Sequence, residues 1–147
     1  MNAKCWRAVS TQFIVVLLTM VMVSGCRKPV DYARTPIRSA GVYRCFGGDL
    51  SVTISQAEPG RLNYQVSRKE VSAGPSQPGL LQQSPWIIYA ETADRVWVYD
   101  GGKDVTRIDF QPNRATKFTS NQVVPEMMKE APAEFRKELP EAIAGHR

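Results

Sequence analysis

From Val42 to Phe110 the chain reads as short strand-like runs separated by turn residues, and in several of them apolar side chains recur at every second position. That period puts alternate side chains on opposite faces of an extended strand, and it does not suit a helix. Leu50, Val52 and Ile54 alternate with Ser51, Thr53 and Ser55, and after Glu58-Pro59-Gly60 the run Arg61–Arg68 repeats the pattern with Leu62, Tyr64 and Val66. Pairing Ile54 with Leu62, Val52 with Tyr64 and Leu50 with Val66 gathers all six apolar side chains on one face, and a one-residue slip would break this. Trp86–Glu91 and Arg95–Asp100 read as two further strands around Thr92-Ala93-Asp94. Asp100-Gly101-Gly102-Lys103 predicts a tight two-residue hairpin, because such turns need positive φ at their centre. Asp104–Phe110 then returns, Gln111-Pro112-Asn113 ends it, and Ala115–Thr119 adds a last short strand. Residues 72–85 form a polar Gly, Pro, Ser and Gln loop, with Leu80 and Leu81 expected to pack back onto the domain.

The period changes after Val124. Pro125, Pro132 and Pro140 each precede a stretch rich in Glu and Ala, and proline is tolerated in a first helical turn but not in a helix interior. Short helical segments follow, with Phe135 and Leu139 on one face available to dock on the sheet, Met127 and Met128 doing likewise, and a frayed end. At 147 residues the chain holds one small domain. The expected fold class is mainly β, a small antiparallel meander sheet or barrel with short C-terminal helical segments.

The N-terminus has a different composition. Lys4 and Arg7 precede eleven residues, Phe13–Val23, that are apolar except for Thr19, and Ser24, Gly25 and Cys26 follow. A positive start, a short apolar stretch and small residues at a cleavage zone describe an export signal. Eleven residues fall short of the roughly 20 that a transmembrane helix needs. Val23-Ser24-Gly25-Cys26 resembles the bacterial lipobox: an aliphatic residue, a small residue, Gly or Ala, then Cys. The resemblance implies cleavage between Gly25 and Cys26, with the Cys26 thiol carrying diacylglycerol and its freed amino group acylated in turn. Arg27 stands where Asp would favour inner-membrane retention, so by the same resemblance the protein faces the periplasm from the outer membrane. The expected organisation is a signal peptide over 1–25, a lipidated Cys and basic tether over 26–41, a β domain over 42–123 and a helical tail over 124–147.

The tether carries Arg27, Lys28, Arg34 and Arg38 against Asp31, with Pro29, Pro36 and Gly41 discouraging regular structure. Fully extended, its fifteen residues would reach about 50 Å. Without the leader the chain has 17 basic and 14 acidic residues, a net +3 that the tether alone supplies. The domain is near neutral, so nucleic acid is not an expected partner. With Cys5 removed and Cys26 acylated, Cys45 is left without an intramolecular partner in an apolar strand, where a thiol is expected to be buried.

Little in the sequence points to catalysis. His146 is the only histidine and sits one residue from the end, no ligand spacing matches zinc or calcium, and no cofactor is expected. Asp94, Asp100, Asp104 and Asp109 read as turn and strand acids. The aromatic residues Trp86, Tyr89, Trp97 and Tyr99 are the candidate binding surface, with core filling as the competing reading. Trp97 and Tyr99 face one way and Val96 and Val98 the other, so this strand is either buried on both faces or used on one.

Tyr43-Arg44-Cys45, Gly48 and Leu50-Ser51-Val52 are similar to the opening of the membrane-bound c-type lysozyme inhibitors, which implies a lipoprotein with a small β-barrel. The inhibitory Ser-Gly and Lys-Gly loops of that family are replaced here by Ser84-Pro85-Trp86 and Gly102-Lys103-Asp104, and its second cysteine is absent. The expected function is a membrane-anchored, non-enzymatic binding or structural module with an envelope protein or cell-wall component as partner. Lysozyme inhibition is the alternative, and an envelope enzyme comes third.

Overall fold

The computed structural model describes residues 29–69, 79–81, 85–112, 114–119 and 125–144. The leader, Cys26, Arg27, most of the 72–85 loop, the Met127 side chain and His146 lie outside the described residues. In chain order the strands are β1 (Pro36–Ile37), β2 (Gly41–Cys45), β3 (Leu50–Glu58), β4 (Arg61–Arg68), β5 (Gly79–Leu81), β6 (Ile87–Thr92), β7 (Arg95–Tyr99), β8 (Val105–Gln111) and β9 (Arg114–Phe118). Three short helices close the chain: α1 (Pro125–Glu130), α2 (Ala133–Lys137) and α3 (Glu141–Ala144).

The strands form two antiparallel sheets, β1-β6-β7-β8-β9 and β2-β3-β4-β5, and no closed barrel. One core lies between them. Leu50, Val52, Ile54, Tyr64 and Val66 from the four-stranded sheet meet Ile88, Ala90, Val96, Val98, Ile108 and Phe110 from the five-stranded one. A second core lies on the other side of the five-stranded sheet, where Ile87, Tyr89, Trp97, Tyr99 and Val105 are covered by Ala131, Phe135 and Leu139 of the tail. The molecule is thus layered sheet, sheet, helices, and the alternation in β6 and β7 is the reason. Each strand is apolar on both faces, so each face requires a cover.

The β3–β4 hairpin keeps the expected face but not the expected pairing. Ile54 sits opposite Tyr64 and Val52 opposite Val66, two residues along from the pattern-based register. A two-residue slip leaves every side chain on its own face, so hydrophobic pattern alone does not distinguish the two registers. The turn decides. Pro59-Gly60 forms a tight loop between the paired Glu58 and Arg61, Gly60 takes φ +80°, and an irregularity between Gln56 and Glu58 absorbs the odd residue.

The β7–β8 connection is looser than expected. Tyr99 pairs with Val105, so residues 100–104 all belong to the loop and not just the two glycines. Asp100 organises it: its Oδ1 accepts the Gly102 N–H at 2.8 Å and the Asp104 N–H at 3.2 Å. A carboxylate that satisfies two loop amides favours this wider turn over the tight one. Leu81 is buried as expected, whereas Leu80 is exposed because β5 alternates as a strand at the sheet edge.

The tail docks through the residues expected. Phe135 is fully buried with ring centroids 5.9 Å from Trp97 and 6.2 Å from Tyr89, and Leu139 is buried beside it. At the margin, Arg107 stacks over Phe118 at 4.9 Å and Trp97 at 5.9 Å, its partners across the strands on either side. Its guanidinium also bridges Asp109 on β8 and Glu130 on α1. Truncating Phe135 to Ala removes a fully buried ring from a site fixed by sheet side chains. It should lower stability by about 3–5 kcal/mol. Urea unfolding followed by Trp fluorescence measures this, and a loss under about 1 kcal/mol would mean that the tail is not a structural layer.

Candidate functional site

The four aromatic residues that were candidates for a binding surface follow the competing reading: all are core. Trp86 is 6% exposed, Tyr89 3%, Trp97 0% and Tyr99 2%. Trp86 belongs to the core between the sheets, and the other three lie beneath the helices. Their polar atoms are used internally too: the Trp97 indole N–H donates to Glu91 Oε2 at 2.7 Å, and the Tyr99 hydroxyl donates to the Gly102 carbonyl at 3.1 Å. The tail covers the face that carries Tyr89, Trp97 and Tyr99, while Trp86 is taken up by the core between the two sheets.

The acids are dispersed. Asp109 pairs with Arg95 at 2.9 Å, Asp94 with Arg68 at 2.7 Å, and Asp100 holds its loop. Among the described residues no three His, Cys, Asp or Glu side chains converge as a metal site would require.

The segment expected as a loose tether is part of the domain from Asp31 onward. Tyr32 donates its N–H to the Arg44 carbonyl at 3.0 Å, Arg34 donates to the Ala90 carbonyl at 2.9 Å, and Pro36 and Ile37 pair with Tyr89 and Ile88. The Tyr32 ring stands edge-on to Tyr43 at 4.8 Å, and Ile37 is 2% exposed. Arg38 pairs with Glu138, which ties this segment to the tail.

Asp31 holds the arrangement together. Its carboxylate accepts N–H bonds from Ala33, Phe46 and Gly47, each at 2.9 Å. The last two belong to the 3-10 turn Phe46–Gly48, where Phe46 takes φ +55°, an unusual backbone state for a side chain of that size. Asp31 therefore props a strained turn as well as the start of the domain. The N–H of Ala33 and then that of Gly47 hold its carboxyl below the usual carboxylate range.

Between this segment, β6 and α2 lies a cleft of about 420 Å³ lined by Arg34, Tyr89, Glu91, Thr92, Pro132 and Glu134. Arg34 is, among the described residues, the other non-glycine at positive φ, +56°, and its Nε reaches the Glu91 carbonyl at 3.4 Å. Burial raises the Tyr89 phenol, Glu134 and Glu91 push it the same way, and Arg34 opposes them, so all three charges are felt at that ring. The recess thus combines Arg34, Glu134 and Tyr89 with Glu91, whose carboxylate is engaged by the Trp97 indole N–H. Of these residues only Tyr89 was among the candidates read from the sequence; the others come from distant segments, and Arg34 owes its position to a backbone state that its residue type does not announce.

Cys45 is fully buried, and desolvation, with Asp31 nearby, raises its thiol to about 11. No protein-family model, curated protein or solved structure matches the chain.

Two outcomes follow. In native protein Cys45 should resist a thiol reagent at pH 8 and react on unfolding; rapid native labelling would contradict its burial. Asp31→Ala should destabilise the domain in a pH-dependent way. A depressed folded value means that the contribution is complete above the unfolded carboxyl value and lost as pH falls through the lowered one. The gap in denaturation midpoint between wild type and Asp31→Ala should stay constant from pH 7 to about pH 5 and narrow in stronger acid. A gap that widened in acid would contradict the assignment.

Proposed function

We propose that this chain is a lipid-anchored protein of the bacterial cell envelope, held by acylated Cys26, whose β domain is a non-enzymatic binding or structural module. The observation that carries the reading is Val23-Ser24-Gly25-Cys26, placed directly after a charged start and an eleven-residue apolar stretch. Each position has its chemistry: small residues leave the backbone open to a peptidase, and the thiol takes the lipid. One acyl chain binds a membrane only marginally at about 0.8 kcal/mol per CH₂, so the two or three chains expected on Cys26 make a lasting anchor. Arg27 supports export to the outer membrane facing the periplasm.

The cleft supports a binding role. A recess lined by both Arg34 and Glu134 suits a polar ligand that carries charges of both signs, such as the peptide portion of a cell-wall component or a charged loop of an envelope protein. The resemblance to lysozyme inhibitors has less behind it. Tyr43, Cys45, Leu50 and Val52, which carry most of the likeness, are core residues here, so what is shared serves packing.

Mass spectrometry of protein isolated from membranes tests the anchor. The expected mature chain begins at Cys26 and carries acyl mass, and a Cys26→Ser variant leaves the membrane fraction. A mature chain with Met1 intact or Cys26 unmodified would refute the reading. For the cleft, chemical shifts of residues 89–92 should move on titration with a charged cell-wall peptide. Arg34→Ala and Glu134→Ala, both exposed, should weaken that response without unfolding the domain.

A further inference from the structure

The docked N-terminal segment fixes how an anchored domain would stand. Only residues 27–30 separate Cys26 from Asp31, whose carboxylate is bound to Ala33, Phe46 and Gly47. Five residue steps reach at most about 17 Å, where the expected fifteen-residue tether would have allowed three times as much. A lipid on Cys26 therefore cannot leave the domain hanging free.

The strand directions identify the end that is held. Asp31 lies at the Cys45–Leu50 connection, and Leu50 pairs with Arg68. Arg68 bridges to Asp94 in the β6–β7 hairpin, so that hairpin shares the same end. The β3–β4 turn at residues 59–60 and the 100–104 loop lie at the far ends of the same antiparallel strands. We infer that the domain stands end-on, with Asp31, the 46–48 turn and the 92–95 hairpin resting on a lipid headgroup layer. This rests on the reading that Cys26 is acylated.

The chemistry of that end fits an anionic headgroup surface. Arg27 and Lys28 follow the anchor directly, and the leash confines them to within a few residues of the bilayer. Arg44, opposite Asp31, is exposed on this end of the domain. Val30, which precedes the lock, is 66% exposed, an apolar side chain placed where headgroups would cover it. Asp31 is bonded to three amides, Glu91 to the Trp97 indole and Asp94 to Arg68; among the described residues Asp49 and Glu134 are further acids toward this end. Basic residues close to such a surface are drawn to it, and the attraction fades within a Debye length, a distance comparable to the leash.

The test uses the full, processed chain in vesicles. Acylation occupies the Cys26 sulfur and burial protects Cys45, so an introduced cysteine is the one reactive thiol. Lys69→Cys and Lys103→Cys put a fluorophore at exposed positions on the two ends. The vesicles are phosphatidylethanolamine and phosphatidylglycerol with a headgroup quencher, and mass spectrometry of the same samples reads Cys26. Emission from position 69 should be lost and that from position 103 retained. The loss at 69 should be smaller when phosphatidylcholine replaces phosphatidylglycerol. Equal emission from both ends with acyl mass on Cys26 would overturn the end-on pose and leave the anchor standing. Absence of the acyl mass would overturn the anchor and the pose together. The same loss at 69 on both lipids would overturn the anionic contact.

Discussion

The structure depends on burying both faces of β7. Val96 and Val98 point into the core between the sheets, while Trp97 and Tyr99 point the opposite way with comparable apolar area. A strand of this kind cannot lie on the outside of a two-layer sandwich without leaving a large apolar patch in water. The helices supply the third layer, and they are too short to be stable on their own. Sheet and tail are therefore mutually dependent: Phe135 is ordered by Tyr89 and Trp97, and those rings are kept from solvent by Phe135.

That dependence withdraws Tyr89, Trp97 and Tyr99 from the outer surface. With the aromatic face closed, a concave part of the described surface that remains open to a partner is the cleft where the N-terminal segment, β6 and the tail meet. Two of its walls are the chain's terminal segments, and the Arg38–Glu138 pair joins them nearby. Ion pairs this exposed add little stability, about 0–1 kcal/mol each. Their role is positional, holding the N-terminal segment and the tail in one arrangement.

Much of the fold was legible because it rests on period. Alternation placed Val52, Ile54, Val96 and Val98 on buried faces, and the switch near Pro125 announced helices whose Phe135 and Leu139 do face the sheet. What could not be read depends on geometry that residue types do not encode. The β3–β4 register slipped by two because the period is two and the turn chooses between equivalent pairings. The segment from Asp31 looked like linker because its basic residues and prolines suit one, whereas its order comes from main-chain bonds to Arg44 and Ala90 and from one carboxylate bound to a distant turn. The cleft was hidden for the same reason. The aromatic cluster was visible as a cluster, but whether it met water depended on the tail, some forty residues on.

If the lipid sits on Cys26 and the domain is locked from Asp31, the protein layer must begin where the headgroups end. Neutron reflectometry on a supported bilayer carrying the mature protein measures this directly. The account requires protein density continuous with the headgroup region. A solvent-filled gap approaching the roughly 50 Å of a free fifteen-residue tether would contradict it.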